Sequence, residues 1–224
     1  MENKTNTIST QLAIFLGEQI VRPDIFFNTL NTEMGEIIDA MPQTLPLPAE
    51  APADIPRVIG NSSFGRYNLN VSLSRVDFVQ NYIPGDDIEK SVNDFRMKCN
   101  TLISTIFQKY AIVRMGLVGN YYIPNKNPSA LIASMYLNDK NKNPDEISIR
   151  INKKDNFKGV SINNVISVNP GVVTAPNYSG DAVVLQLDYN SEERADALNE
   201  GLALSLFKEK SSAYYSKNLA EVYK

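Results

Sequence analysis

The chain of 224 residues contains no histidine. Ser-His-Asp and Cys-His nucleophile activation, histidine-ligated zinc and histidine pH switching all need an imidazole that this chain does not supply. Cysteine is nearly absent as well. Cys99 stands alone, which excludes intramolecular disulfides and thiolate metal clusters and fits a reducing compartment. Neither G-x-x-x-x-G-K-S/T nor G-x-G-x-x-G occurs, so nucleotide use lacks its backbone cradle and no cofactor or metal is expected. Long apolar runs are missing too. The start, "MENKTNTIST", has no hydrophobic region, and the first apolar stretch, "LAIFLG", is short; neither a signal peptide nor a membrane span is read, and a cytoplasmic protein with no membrane partner is expected.

What is present belongs to an ordinary globular protein: 43% hydrophobic and 21% charged residues. A single domain of this length buries about 70% of its unfolded surface, so no covalent staple is needed. The net charge of -3 and pI near 5.1 give no dominant electrostatic footprint for nucleic acid or anionic membrane.

Hydrophobic periodicity sets the elements. In "QLAIFLGEQIV", residues 11–21, Leu12, Ile14, Leu16 and Ile20 share one side and Gln11, Ala13, Phe15, Gly17 and Gln19 the other, which reads as a strand. Apolar residues at helical spacing from Asp24 to Met41 predict a helix, with Gly35 its weak point. Residues 42–56, "PQTLPLPAEAPADIP", hold five of the twelve prolines and read as an extended connection across the surface, or, at "PLPAEAP", as a ligand for a partner's aromatic groove. A hairpin follows, with a short strand at 57–61 and a long one from Arg66 to Gln80. The parity of its apolar residues inverts near Ser74 and Arg75, which predicts a bulge there. Asp86 and Glu89 have the form of a capping box, and Ile88, Val92, Phe95, Cys99, Leu102, Ile103, Ile106 and Tyr110 trace one helical stripe. Cys99, inside that stripe, is expected to be a buried small hydrophobe.

A strand is predicted at 112–123, with Val113, Met115, Leu117, Gly119, Tyr121 and Ile123 on one face and Arg114, Gly116, Val118, Asn120 and Tyr122 on the other. Residues 128–138 read as a short helix or another strand. Three more strands are expected at 146–152, 160–168 and 181–189, then a helix from Ser191 with Glu192 and Glu193 in its first turn. The result is a single α+β domain, a broad and mostly antiparallel sheet with amphipathic helices on one face. Its element order looks duplicated, and the C-terminal helix 191–224 either packs or projects.

The acidic pairs Asp86/Asp87, Asp145/Glu146 and Glu192/Glu193 sit at predicted element starts, where capping explains them. A carboxylate metal site would have to gather Glu18, Asp77 and Asp188 from three strands, and nothing in the spacing demands it. Lys140, Lys142, Lys153, Lys154 and Lys158, in loops 139–143 and 152–159, form a candidate nucleic-acid patch or a set of charged turns guarding strand edges. Arg66, Arg75, Arg114 and Arg150 are the candidate anion-binding residues on the polar sheet face, with Asn120 and Tyr122 beside them. Tyr214, Tyr215 and Tyr223 are the candidate partner surface, and Tyr121, Tyr122, Tyr178 and Tyr189 are further tyrosines expected on exposed surface.

At "GRYNLNVSLSRVDF" and "IVRMGLVGNYYIP" the chain resembles a sporadically distributed bacterial family of uncharacterised function. The family places a strand of R-x-G-L-x-x-x-N type after a capped amphipathic helix. Arg114, Gly116, Leu117 and Asn120 match that motif. The resemblance carries no activity; sporadic distribution implies an accessory gene, as in host and phage conflict systems. The missing catalytic signals and the tyrosines expected on exposed surface make the expectation a non-enzymatic binding or assembly subunit, acting through its sheet face, its Pro-rich segment or its C-terminal helix on a protein partner or by self-association. The rival is a sensor of an anionic small ligand or nucleic acid on the arginine-bearing face.

Overall fold

The amino-terminal strand occupies the middle of the molecule. In the computed structural model, which describes residues 5–48, 50–138, 144–175, 177–194 and 196–222, β1 (Asn6–Leu16) is followed by α1 (Pro23–Glu33), β2 (Gln43–Thr44), β3 (Val58–Asn61), β4 (Tyr67–Val71), β5 (Arg75–Asn81) and α2 (Ile88–Phe107). The second half runs β6 (Ile112–Pro124), α3 (Pro128–Tyr136), β7 (Ile149–Phe157), β8 (Val160–Ala175), β9 (Tyr178–Ser191), α4 (Glu200–Lys210), a 3-10 turn (Ser211–Tyr214) and α5 (Ser216–Val222). The nine strands form one sheet in the order β2-β3-β4-β5-β1-β6-β9-β8-β7, every pairing antiparallel.

The two halves of the sheet repeat one order of elements. Each half opens with a strand, adds a helix, runs a meander whose last strand pairs back to the first, and closes with a helix. The halves meet where β1 pairs with β6, Leu12 opposite Leu117. Asp77 faces Ala13 across β5 and β1, and Asp188 faces Val118 across β9 and β6, so the two acids hold corresponding places.

Alternation along the strands assigns the two faces. Leu12, Ile14, Val76, Phe78, Leu69, Val71, Met115, Leu117, Tyr121, Leu185 and Leu187 point to one side and form a single core with the apolar faces of α1, α2, α3 and α4. On α2 the predicted stripe is the buried one: Val92, Phe95, Cys99, Leu102, Ile103 and Ile106. Gln11, Ala13, Phe15, Arg114, Gly116, Val118, Asn120, Gln186, Asp188 and Asn190 lie on the opposite face, as strand register requires, and the helices leave that face open.

Local chemistry moves several predicted boundaries. Gly35 ends α1: at φ +85° it is the left-handed residue of a Schellman cap, with Gly35 N–H bonded to Thr32 O and Glu36 N–H to Asn31 O. The predicted helix to Met41 therefore stops at Glu33. The predicted bulge near Ser74 is a hairpin turn. Ser72 and Arg75 bond through their backbones, and the Ser72 hydroxyl accepts from Arg75 N–H at 2.7 Å, so the long strand 66–80 is really β4 and β5. The α2 cap is Asp87, which accepts from Lys90 N–H, and Asp86 is instead bound to Arg66. The helix expected from Ser191 begins at Glu200 with Asn199 as its cap, because Ser191 is held in β9 by its bond to Met115 N–H.

The Pro-rich connection runs along the sheet edge. Its backbone bonds from Leu45 N–H to Arg57 O, and Ala53 O accepts from Leu73 and Ser74 N–H, so it braces the β4–β5 turn. The C-terminal segment folds back on the helix layer through buried Tyr214 and Leu219, and Glu89 accepts from Ser216 N–H.

Candidate functional site

Three neighbouring strands assemble the most unusual group on the open face. Phe15 on β1 is paired in register with Arg75 on β5 and with Arg114 on β6. Each guanidinium carbon lies 4.8 Å from the centre of the Phe15 ring, so the ring stands between two cations. Contacts of this kind contribute about 0.5–2 kcal/mol each, most where water is excluded. Arg75 is also paired with Asp77 at 2.6 Å, and Asp77 accepts from Gln11 at 2.7 Å. Arg114 donates to the backbone carbonyl of Ser191 at 3.1 Å, and no carboxylate of the described residues forms an ion pair with it. Two small residues side by side, Ala13 and Gly116, floor the neighbouring stretch of the face.

From this group the face runs on as a field of amides bonded to one another. Gln186 donates to Asn120 at 3.0 Å and Asn120 to Ser9 at 3.0 Å. Asn152, Asn163, Asn190 and Asp188 continue a second chain of side-chain bonds. At the far end Tyr122 stacks on Tyr178 with ring centres 5.5 Å apart, over a small apolar cluster with Val173 and Ala182.

The predicted residues thus separate. Arg75 and Arg114 come together on Phe15. Asn120 and Tyr122 share their face, but Asn120 is six residues along β6 from Arg114, about 20 Å at strand rise. Arg150, on the edge strand β7, is opposite Ser167 in the row of Gln186 and Asn120, and three strands beyond Asn120 it lies farther still from the pair. Arg66 belongs to another structure: it clasps Asp86 with two bonds, at 2.7 and 2.9 Å. Burial works against the Asp86 charge, but the Arg66 guanidinium and the Ile83 N–H outweigh it and hold the carboxyl below its usual range.

The tyrosine surface needs correction. Tyr214 is 1% exposed and Tyr121 0%, and Tyr122 and Tyr189 are buried as well. Their hydroxyl-bearing rings fill the core and the stacked cluster. Tyr215 is half-buried and fixed, donating to Asn93 and accepting from Arg96; Tyr223 lies outside the described residues.

Lys140 and Lys142 also lie outside them. Lys154 is paired with Glu192, and Lys158, at φ +51°, forms a two-residue turn with Gly159 between β7 and β8. Asp77 and Asp188 are three strands apart, and among the described residues no group of three His, Cys, Asp or Glu is placed to hold a metal. Cys99 is fully buried, and burial pushes its thiol well above the ordinary value.

The residue that sequence reading passed over is Phe15. Its signal was a large apolar side chain on the polar parity of β1, but its arginine partners come from strands 60 and 99 residues away (75 − 15 and 114 − 15). No protein-family model matches the chain, and no curated protein matches its sequence.

Proposed function

We propose that the chain is a non-catalytic binding subunit that engages a protein partner through the open face of its sheet, centred on Phe15, Arg75 and Arg114. The observation carrying this reading is the aromatic ring held between two arginines on three central strands. Arginine and aromatic side chains dominate binding energy at protein interfaces. Here they are fixed before a partner arrives, as are the surrounding amides, which lowers the ordering cost of association. Nine strands at about 4.8 Å spacing give a face roughly 40 Å wide, enough for the ~800 Å² that a standard interface needs from each partner. Arg114, with no carboxylate partner among the described residues, calls for an acidic group on the partner.

The chemistry available points the same way. The chain has no histidine, its thiol is buried, and Asp77 and Asp188 are engaged by neighbouring side chains. The resemblance to a sporadically distributed family extends the reading to an accessory component of a bacterial host-phage conflict system, acting in the cytoplasm. The anionic-ligand reading draws less support, since Arg66 and Arg75 already carry carboxylates and Arg150 is remote.

The test is tagged purification from the native host with wild-type chain, Arg114→Glu and, on the helix layer, Lys208→Glu. A partner retained by wild type and Lys208→Glu but released by Arg114→Glu supports the reading; retention by all three refutes the assigned face.

A further inference from the structure

Between the sheet and α2 the core contains a polar layer that the described residues satisfy only in part. Tyr121 and Tyr214 bury hydroxyls with no hydrogen-bond partner among the described residues. Gln80, 0% exposed, donates its amide to Ser91 O at 2.8 Å and leaves Oε1 without one.

Register brings these groups together. Gln80, Thr10 and Gly119 are adjacent positions in one row across β5, β1 and β6, all on the helix side. The Tyr121 ring folds back over Gly119, so that a Cβ there would lie 2.4 Å from the Tyr121 hydroxyl. Thr10 Oγ1 meets the Tyr82 hydroxyl at 3.4 Å. Tyr214 enters from the 3-10 turn against Phe95, ring centres 6.2 Å apart. Burial pushes its phenol well up, with Tyr121 foremost among the neighbouring phenols that add to it. Gly119 is what makes room for a hydroxyl in the middle of this layer.

We infer that this layer is an internal water site, in which buried water bridges the Tyr121 and Tyr214 hydroxyls to the Gln80 and Thr10 side chains. A buried hydroxyl left dry is costly, whereas an internal water typically makes about three hydrogen bonds to such groups. The geometry supplies donors and acceptors of both kinds, since hydroxyls can do either and Gln80 Oε1 accepts.

The test combines water-protein NOE spectroscopy with the double variant Tyr121→Phe, Tyr214→Phe, which keeps both rings and therefore the packing. Long-lived water cross-peaks are expected at the Gly119 amide and the two tyrosine rings in the wild type and not in the variant, whose Tm should fall by about 2–4 °C. A wild type without those cross-peaks overturns the inference. So does a double variant whose Tm is unchanged or raised, because removing dry, unpaired hydroxyls relieves a penalty instead of breaking bonds.

Discussion

Arg114 and Phe15 face each other across the β1–β6 pairing with the guanidinium 4.8 Å from the ring centre, while Arg75 takes the other side at the same distance. A double-mutant cycle on Phe15→Leu and Arg114→Gln should return a coupling of about 0.5–1 kcal/mol in urea denaturation. A coupling of zero would mean the ring and the cation are neighbours without attraction.

Gly60 on β3 receives the Phe27 ring of α1 so closely that a Cβ there would lie 2.3 Å from Phe27 and 2.8 Å from Ile38. Gly60→Ala should therefore destabilise the fold by about 1–3 kcal/mol, as overpacking does in a filled core. The same change at Gly65, at φ +66° with open space around it, tests backbone strain without crowding.

The Arg66–Asp86 clasp ties β4 to the entry of α2. Because the Asp86 carboxyl is held below its usual range in the fold, its contribution is complete above the unfolded value near 4 and is lost as pH falls through the folded value. Asp86→Asn should be less stable than wild type at pH 7, and the gap should close in melting curves taken toward pH 2. A gap constant from pH 7 to 2 would show that the charge is not what matters.

Cys99 is expected to resist a thiol reagent such as DTNB in the native protein and to react once urea unfolds it, since burial both hides the sulfur and disfavours its thiolate. Fast native labelling would contradict the packing of α2 on the sheet.

Much of the architecture was legible in sequence because it is periodic. The α2 stripe, the two faces of β6 from Arg114 to Ile123 and the buried Cys99 follow from spacing alone, whereas a register shift after Phe15 turns Ile112 and not Val113 to the core. What was not legible depends on contacts between distant segments or on unusual turn residues. The β4–β5 reversal uses Ser72, Leu73 and Ser74, with neither glycine nor proline to mark it, so its change of parity resembled a bulge. Glu192 and Glu193 imitate a helix start, but the β9 pairing and the Ser191 bond to β6 claim that segment first. Of the adjacent Tyr214 and Tyr215, only the geometry of the 3-10 turn decides that the first is buried. The site suffers most from this limit, because Phe15, Arg75 and Arg114 are joined by sheet order and by no local pattern.

Hydrogen exchange on the chain, free and bound to the partner recovered from its host, locates the contact surface. Binding through the open face should slow exchange in β1, β5 and β6 around Phe15, Arg75 and Arg114 and leave the exposed side of α2 and α4 unchanged. Protection confined to the helix layer, with the open sheet face unaltered, would contradict it.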